Sequence, residues 1–332
     1  MATKNSKPKP KILVILGPTA SGKSDLAVKL AKKFNGEIIS ADSRQVYKGL
    51  DIGSGKVPRD RITNSKLLTA DYSYKDVPHH LLDVASPKRV FTASQYQKLG
   101  QKAIKDILKR DKLPIICGGT GLYIDSLIYD LKFPEVPPQK ELRKKLEKES
   151  AETLFKKLEK LDPGRAKTID RFNKRRLIRA LEIVLTTKKP IPELGVMTYH
   201  NTPPYDVLKI GIKKEPEELK KLIHKRLVKR LAQGMIKEVE SLRKNGLSWK
   251  RLDDLGLEYR YISRFLRGLI SKKEMSELIE KESWRYAKRQ MTWFKRDPAQ
   301  IASRFNGTSE NIIWIVKEKE AENSIKKFLE EV

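Results

Sequence analysis

A parallel α/β core with a phosphate-binding loop, interrupted by a helical insertion and completed by a helical C-terminal part, is the fold this sequence predicts. Three observations carry it. The apolar run Lys11–Leu16 leads directly into Gly17, then after four residues Gly22, Lys23 and Ser24, and then into a helical pattern. Further short apolar runs alternate with helical segments, as in parallel sheets buried on both faces. After Phe133 the character changes to a proline-rich break, FPEVPPQ, followed by short charged helices.

KILVIL, Lys11–Leu16, reads as a buried strand. In SDLAVKLAKKF, residues Leu26, Leu30 and Phe34 recur at helical spacing, and Asn35-Gly36 stops the helix. EIIS, Glu37–Ser40, is a second strand. Residues 51–90 are mixed, with Gly and Pro interruptions and the pair His79-His80. SQYQKLGQKAIKDILKRD is a helix, and LPIIC, Leu113–Cys117, a further buried strand running into GGTGLY. To this point the order is that of a nucleotide-kinase-like core. KELRKKLEKES and AETLFKKLEKL are short charged helices punctuated by DPGRA, and RFNKRRLIRALEIVL is a helix assignable to either body. DVLKIGI, Asp206–Ile212, reads as a return strand, and IIWIV, Ile312–Val316, as a late one. The expected organisation is residues 9–130 as the first part of the core, 131–200 as the insertion and 201–320 as the second, mostly helical part of the core.

The 332 residues carry 71 Lys+Arg against 42 Asp+Glu, a formal net charge of +29. An excess this large points to a polyanionic partner, nucleic acid first. The single cysteine, Cys117, excludes a disulfide within the chain and a multi-cysteine zinc site, and fits a reducing compartment. The apolar run after the basic start MATKNSKPKPK is too short for a signal peptide or a membrane span, so a cytoplasmic protein is expected.

Gly17-Pro18-Thr19-Ala20-Ser21-Gly22-Lys23-Ser24 has the mechanics of a phosphate cradle. The glycines let the backbone N–H groups turn inward, and the following helix adds its positive end. Lys23 neutralises phosphate oxygens, and Ser24 is placed to ligate Mg²⁺. The pattern asks for a diphosphate or more and does not specify a nucleotide. LPIIC supplies no acid at its end, whereas EIISA ends at Asp42, able either to assist magnesium or to cap the next turn. On residues alone, a P-loop kinase using Asp42 and an RNA-binding protein with a vestigial loop stay open; intact Lys23, Ser24 and Asp42 argue against the latter.

Several ordered blocks resemble the tRNA dimethylallyltransferases, also called tRNA isopentenyltransferases. They are GPTASGKS, GEIISADSRQVYKGLDIG, VPHHLLD, GGTGLY, RRLIRALE, PYDVLKIGI with LIHKRLVKRLAQGMIKEVESL, and YAKRQMTWFKR, over roughly residues 11–300. DIGSGK stands where the family more often has DIGTAKP, and LGLEYRYIS where many members have a GYKE-like segment. The resemblance implies that the loop holds dimethylallyl diphosphate and that the dimethylallyl group passes to N6 of adenosine 37 of tRNA, releasing diphosphate. It implies Asp42 as the base on the adenine amino group, Thr120 lining the channel beside it, and Thr19 and Arg226 on the diphosphate. Arg226 follows Ile223 by three on the border of the apolar face of Leu219, Leu222, Ile223 and Leu227, so an inward reach is permitted.

RNA contacts are expected at Asp42, Ser43, Arg44 and Gln45, where a glutamine amide suits an adenine edge. The resemblance also implies them at Arg175, Arg176, Leu177, Ile178 and Arg179, and at Arg289 and Gln290. The run RFNKRRLIR holds no acid, and helical spacing puts Arg171, Arg175 and Arg179 on one face, with Phe172 and Leu177 toward a core. Trp284, Tyr286, Trp293 and Phe294 interleave with basic residues and read as core aromatics before stacking ones. The adjacent histidines have no third metal ligand nearby and read as structural or pocket-lining. Mg²⁺ is the expected cofactor, and a monomer without membrane association the expected state.

Overall fold

The computed structural model describes residues 8–60, 72–191, 204–296 and 311–331. The chain divides into two compact units, Met1–Asp130 with Pro203–Pro298 and Glu310–Val332, and Leu131–Thr202 with Ala299–Ser309.

The first unit is built on a seven-stranded sheet. Its strands are β1 (Lys11–Leu16), β2 (Gly36–Ala41), β3 (Ser73–Tyr74), β4 (Val77–His80), β5 (Leu113–Gly118), β6 (Asp206–Ile212) and β7 (Ile312–Ile315). They lie in the order β3-β4-β2-β5-β1-β6-β7, and every pairing is parallel except β3 with β4. The α/β core read from the sequence is therefore present, and each of the five expected strands starts and ends within one residue of its expected bounds. The central strands are apolar because both faces are covered: Leu13, Ile15 and Ile115 are fully buried against Leu30 and Ile325.

The helices of this unit are α1 (Lys23–Lys33), α2 (Ala93–Lys109), α3 (Gly121–Ile128), α8 (Pro216–Ala232), α9 (Met235–Lys244), α10 (Trp249–Leu255), α11 (Leu257–Leu266), α12 (Lys272–Phe294) and α13 (Glu318–Glu330). The N-termini of α2 and α12 carry reciprocal capping boxes, Thr92 with Gln95 and Ser271 with Glu274.

The β3–β4 hairpin lies in the stretch that reads as mixed from sequence. Its turn residues, Lys75 and Asp76, have φ of 52° and 60°, a geometry usually signalled by Asn-Gly. Here the carboxylate of Asp60 holds it by accepting from Lys75 N (3.0 Å), Asp76 N (3.1 Å) and the Ser73 hydroxyl (2.8 Å). Both histidines of β4 are buried. His80 Nε2 meets Glu37 at 2.8 Å, and His79 Nδ1 meets the Val77 carbonyl at 2.8 Å. Glu37 is also held by Lys112 at 2.9 Å and by Arg110. Burial pushes its pKa up, but the hydrogen bonds from Arg110, His80 and Lys112 outweigh it and keep the carboxyl below its ordinary range. The pair is structural, and no cluster of three potential metal-ligating His, Cys, Asp or Glu side chains occurs among the described residues.

The second unit holds α4 (Lys140–Leu146), α5 (Ala151–Leu161), α6 (Pro163–Thr168) and α7 (Lys174–Thr187) around Leu154, Leu158, Leu177 and Leu181, all fully buried. The insertion expected over 131–200 reaches beyond the described residues at its end. Helix α7 begins later than the sequence pattern implies, because Asn173 caps it by accepting from Arg176 N at 3.2 Å. Arg171 therefore precedes the helix and shares no face with Arg175 and Arg179; its guanidinium lies over the Phe155 and Phe172 rings. Phe172, expected in a core, is 81% exposed.

Candidate active site

Three loops leave the carboxyl ends of adjacent strands at the same level. Leu16 and Ala41 both register with Gly118, so the turns after β1, β2 and β5 start side by side. β1 has β5 on one side and β6 on the other, which makes this edge the switch point where open α/β sheets bind ligands. A Cβ on Gly118 would sit 2.2 Å from the Ala41 carbonyl oxygen, so only glycine permits this approach. Thr120 N then donates to that same oxygen at 3.0 Å.

The first loop is Gly17 to Ser24. Gly17 and Gly22 adopt φ of 152° and 86°, and Ala20 adopts 64°. Ala20 abuts the apolar cluster of Leu219, Ile223 and Ala287. Lys23 Nζ donates to the Pro18 carbonyl at 3.1 Å. Burial lowers the Lys23 pKa, Arg226 and Arg230 act in the same sense, and Cys117 and Asp42 oppose them. The Ser21 hydroxyl is buried with no hydrogen-bond partner among the described residues. Ser24 is the second residue of α1. Behind the loop, the Cys117 thiol donates to the Lys23 carbonyl at 3.6 Å, and burial pushes its pKa up to about 12.

The second loop begins at Asp42. Its Oδ1 accepts from Arg44 N at 2.8 Å and from Gln45 N at 3.4 Å, and Oδ2 has no hydrogen-bond partner among the described residues. The carboxylate thus caps a turn through one oxygen and leaves the other without a partner among the described residues. Ser43 N donates to Thr120 Oγ1 at 3.1 Å, which joins the second loop to the third. Arg44 donates through Nε to the Leu255 carbonyl.

Asp42, Ser43 and Arg44 line a cavity of about 300 Å³ together with Thr19, Arg226, Arg230, Glu258, Tyr286 and Arg289. Arg226 and Arg230 are one turn apart on α8, a spacing that places both on one face. Arg230 is spent on the Gly53 carbonyl (3.1 Å) and Glu258 (3.0 Å). Arg226 has no hydrogen-bond partner among the described residues; burial, and then the charge of Arg230, lower its pKa to about 10. The charge of a bound anion would offset both causes. The Tyr286 hydroxyl is pushed up to about 12 by burial and by Asp42, against the Thr120 hydroxyl beside it. Arg289 stacks over the Tyr286 ring. Arg230, Glu258 and Tyr286 escape the sequence-based assignment. The repeat of arginine at i and i+4 in HKRLVKR is the signal that could have found Arg230.

Several expected RNA contacts are corrected by the geometry. Gln45 does not present its amide to a ligand: Oε1 accepts from Ser40 Oγ (2.9 Å), and Nε2 donates to the carbonyls of Ser54 (3.4 Å) and Gly55 (3.2 Å). Gln290 is 5% exposed; it accepts from Thr19 N at 2.8 Å and donates to the Gly119 carbonyl at 3.0 Å, joining the first and third loops. Leu177 and Ile178 are core residues of the second unit. Arg179 is bound to the buried Glu182 at 2.6 Å, which Arg143 also holds. Arg175 and Arg176 remain exposed. Of the aromatics on α12, only Phe294 is fully core; Trp293 is half-buried, its Nε1 donating to Asp125 at 3.1 Å beneath Arg296.

Comparisons with known proteins agree on one family. The family model described as IPP transferase matches residues 45–297. The tRNA dimethylallyltransferase of Acetivibrio thermocellus is 41% identical over 312 residues, covering 93% of this chain and 92% of that one. Among solved structures, the tRNA delta(2)-isopentenylpyrophosphate transferase of Staphylococcus epidermidis superposes with a TM-score of 0.62 at 35% identity, covering 96% of this chain and all of that one. A eukaryotic dimethylallyltransferase, captured crystallographically acting on tRNA, superposes with a TM-score of 0.73 at 26% identity, covering 96% of this chain and 77% of that one.

Proposed function

The chain belongs to the IPP transferase family, and from that premise we propose that it transfers the dimethylallyl group of dimethylallyl diphosphate to N6 of adenosine 37 in tRNA. The observation that carries the assignment of roles is that Asp42, which has one unpartnered oxygen among the described residues, lines one cavity with Thr19 of the phosphate loop and Arg226.

The adenine amino group is a weak nucleophile because its lone pair is delocalised into the ring. Asp42 Oδ2 takes the N6 proton as the N6–C1 bond forms, and Oδ1 is kept in place by the Arg44 and Gln45 N–H groups. Such general-base help contributes about 10²–10⁴-fold. The C1–O bond breaks as its electrons move onto the diphosphate. The loop amides, Lys23 and Arg226 stabilise the charge where it develops. Thr120 orders the Asp42 turn through the Ser43 N–H. Reaching Asp42 inside the cavity requires the target base to leave the stack of the anticodon loop. Exposed Arg175, Arg176 and Arg289 supply phosphate contacts.

The loop suits magnesium, since the Ser24 hydroxyl and the orphaned Ser21 hydroxyl are hard oxygens. These few protein ligands would hold the ion together with diphosphate oxygens, where it would neutralise leaving-group charge. No helix among the described residues is long and apolar enough to cross a membrane, and we place the protein in the cytoplasm as a monomer.

The test uses purified protein, tRNA and either labelled dimethylallyl diphosphate or labelled ATP. Label should enter tRNA from the prenyl donor alone, and Asp42→Asn should retain both substrates while losing at least about a hundredfold in turnover. Near-normal turnover of that variant removes Asp42 from the mechanism, and productive phosphate transfer from ATP would support a kinase instead.

A further inference from the structure

One wall of the cavity is the irregular loop Asp51–Lys56, through Gly53 and Ser54. Glu238 on α9 accepts the N–H groups of three consecutive loop residues, Asp51 at 3.0 Å, Ile52 at 2.6 Å and Gly53 at 3.0 Å. The buried Tyr259 donates its hydroxyl to the same carboxylate at 2.9 Å. Successive N–H groups of this kind form an anion-binding concavity, and here the anion is the protein's own side chain. The loop interlocks with its holders. A Cβ on Gly53 would lie 2.7 Å from the Tyr259 ring, and one on Gly55 1.7 Å from Arg230. On the other side, the Gln45 amide grips the carbonyls of Ser54 and Gly55, while Gln45 N and Arg44 N hold Asp42 Oδ1.

We propose that Glu238 is a positioning residue for the transfer reaction: it fixes the Asp51–Gly55 loop as a rigid wall and, through Gln45, fixes the turn that presents Asp42. The role rests on Asp42 being the base. Without Glu238, three N–H groups lose their common acceptor, the carbonyls that anchor Gln45 shift, and the Asp42 carboxylate loses its aim. A displacement of about 1 Å at a reacting group can cost about a hundredfold in rate.

The experiment is single-turnover transfer with tRNA and dimethylallyl diphosphate both saturating, active sites being counted by donor titration and melting temperature recorded alongside. Glu238→Ala should transfer roughly 10- to 100-fold more slowly per counted site, with tRNA and donor affinities unchanged. Glu238→Gln, whose amide oxygen can still accept the Asp51 and Ile52 N–H groups while its NH2 replaces the acceptor for Gly53 N–H and the Tyr259 hydroxyl, should recover part of that loss. A wild-type rate per counted site in Glu238→Ala, at any melting temperature, overturns the proposal and leaves Glu238 a stabiliser of the fold. Should Glu238→Ala fail to fold, Glu238→Gln combined with Gln45→Ala decides. Rate losses smaller than the product of the single effects support one coupled device, and independent losses overturn it. Wild-type protein that transfers no prenyl label to tRNA fails the underlying functional assignment, and the positioning role falls with it.

Discussion

Replacing Gln290 by leucine separates two roles for one residue. Sequence resemblance places Gln290 among RNA contacts; the structure has its amide joining the Thr19 N–H of the phosphate loop to the Gly119 carbonyl, at 2.8 and 3.0 Å, with the side chain 5% exposed. Leucine has a similar size and no polar atoms, so it strands both backbone groups. A buried donor or acceptor left unsatisfied costs about 1–3 kcal/mol. Gly119 is buried and Thr19 half-buried, which puts Thr19 at the low end and the sum at roughly 2–4 kcal/mol. In a unit of this size, that lowers the melting temperature by about 5–15 °C. The phosphate loop is anchored by the same amide, so the donor's Michaelis constant should rise while tRNA affinity holds. The assay pairs thermal unfolding with filter binding of tRNA and donor kinetics, all on Gln290→Leu beside wild type. An unchanged melting temperature with weakened tRNA binding would refute the anchoring argument and return Gln290 to the RNA interface.

Lys23→Ala should raise the donor's apparent Michaelis constant and slow the chemical step as well, because in the proposed reaction the ammonium meets both bound and departing diphosphate; steady-state and single-turnover kinetics read the two effects. In the second unit, Arg176→Ala should lower the slope of log tRNA affinity against log salt by roughly 0.7–0.9, the share of a single neutralised phosphate. Arg179→Ala should instead cost stability with little change of slope, since it strips a partner from buried Glu182; a salt titration beside a melting curve distinguishes them. Burial, aided by His80 and opposed by the Val77 carbonyl and Asp60, lowers the pKa of His79 from 6.5 to about 4, so its neutral form is favoured in the folded state. Its contribution is present above pH 6.5 and is lost as pH falls toward 4, where the unfolded chain binds the proton first. The loss amounts to about 3 kcal/mol, and His79→Phe should remove that part of the pH dependence of unfolding measured in urea.

The local features of this protein were determined by sequence alone because they depend on nearest neighbours. Strands β1, β5 and β6 announce themselves as uninterrupted apolar runs, since both faces of a central parallel strand are covered. The Gly17–Ser24 cradle is a property of one strand, one turn and one helix end. Asp42 was legible for a related reason: it is the acid at the end of a strand beside that loop. The β3–β4 hairpin was not legible, because its turn has Lys75 and Asp76 in a conformation that only the distant Asp60 carboxylate makes favourable. The orientation of polar side chains was equally hidden. A glutamine beside a proposed catalytic acid has the chemistry to read adenine, yet Gln45 and Gln290 are consumed by carbonyls and N–H groups of loops that close on them only in three dimensions. Arg226 and Arg230 have the same helical surroundings in sequence. Glu258, 28 residues beyond Arg230, decides that Arg230 is neutralised while Arg226 is left without a hydrogen-bond partner among the described residues. Residue type and spacing state what a side chain can do; burial and long-range partners decide which of those capacities remains for the substrate.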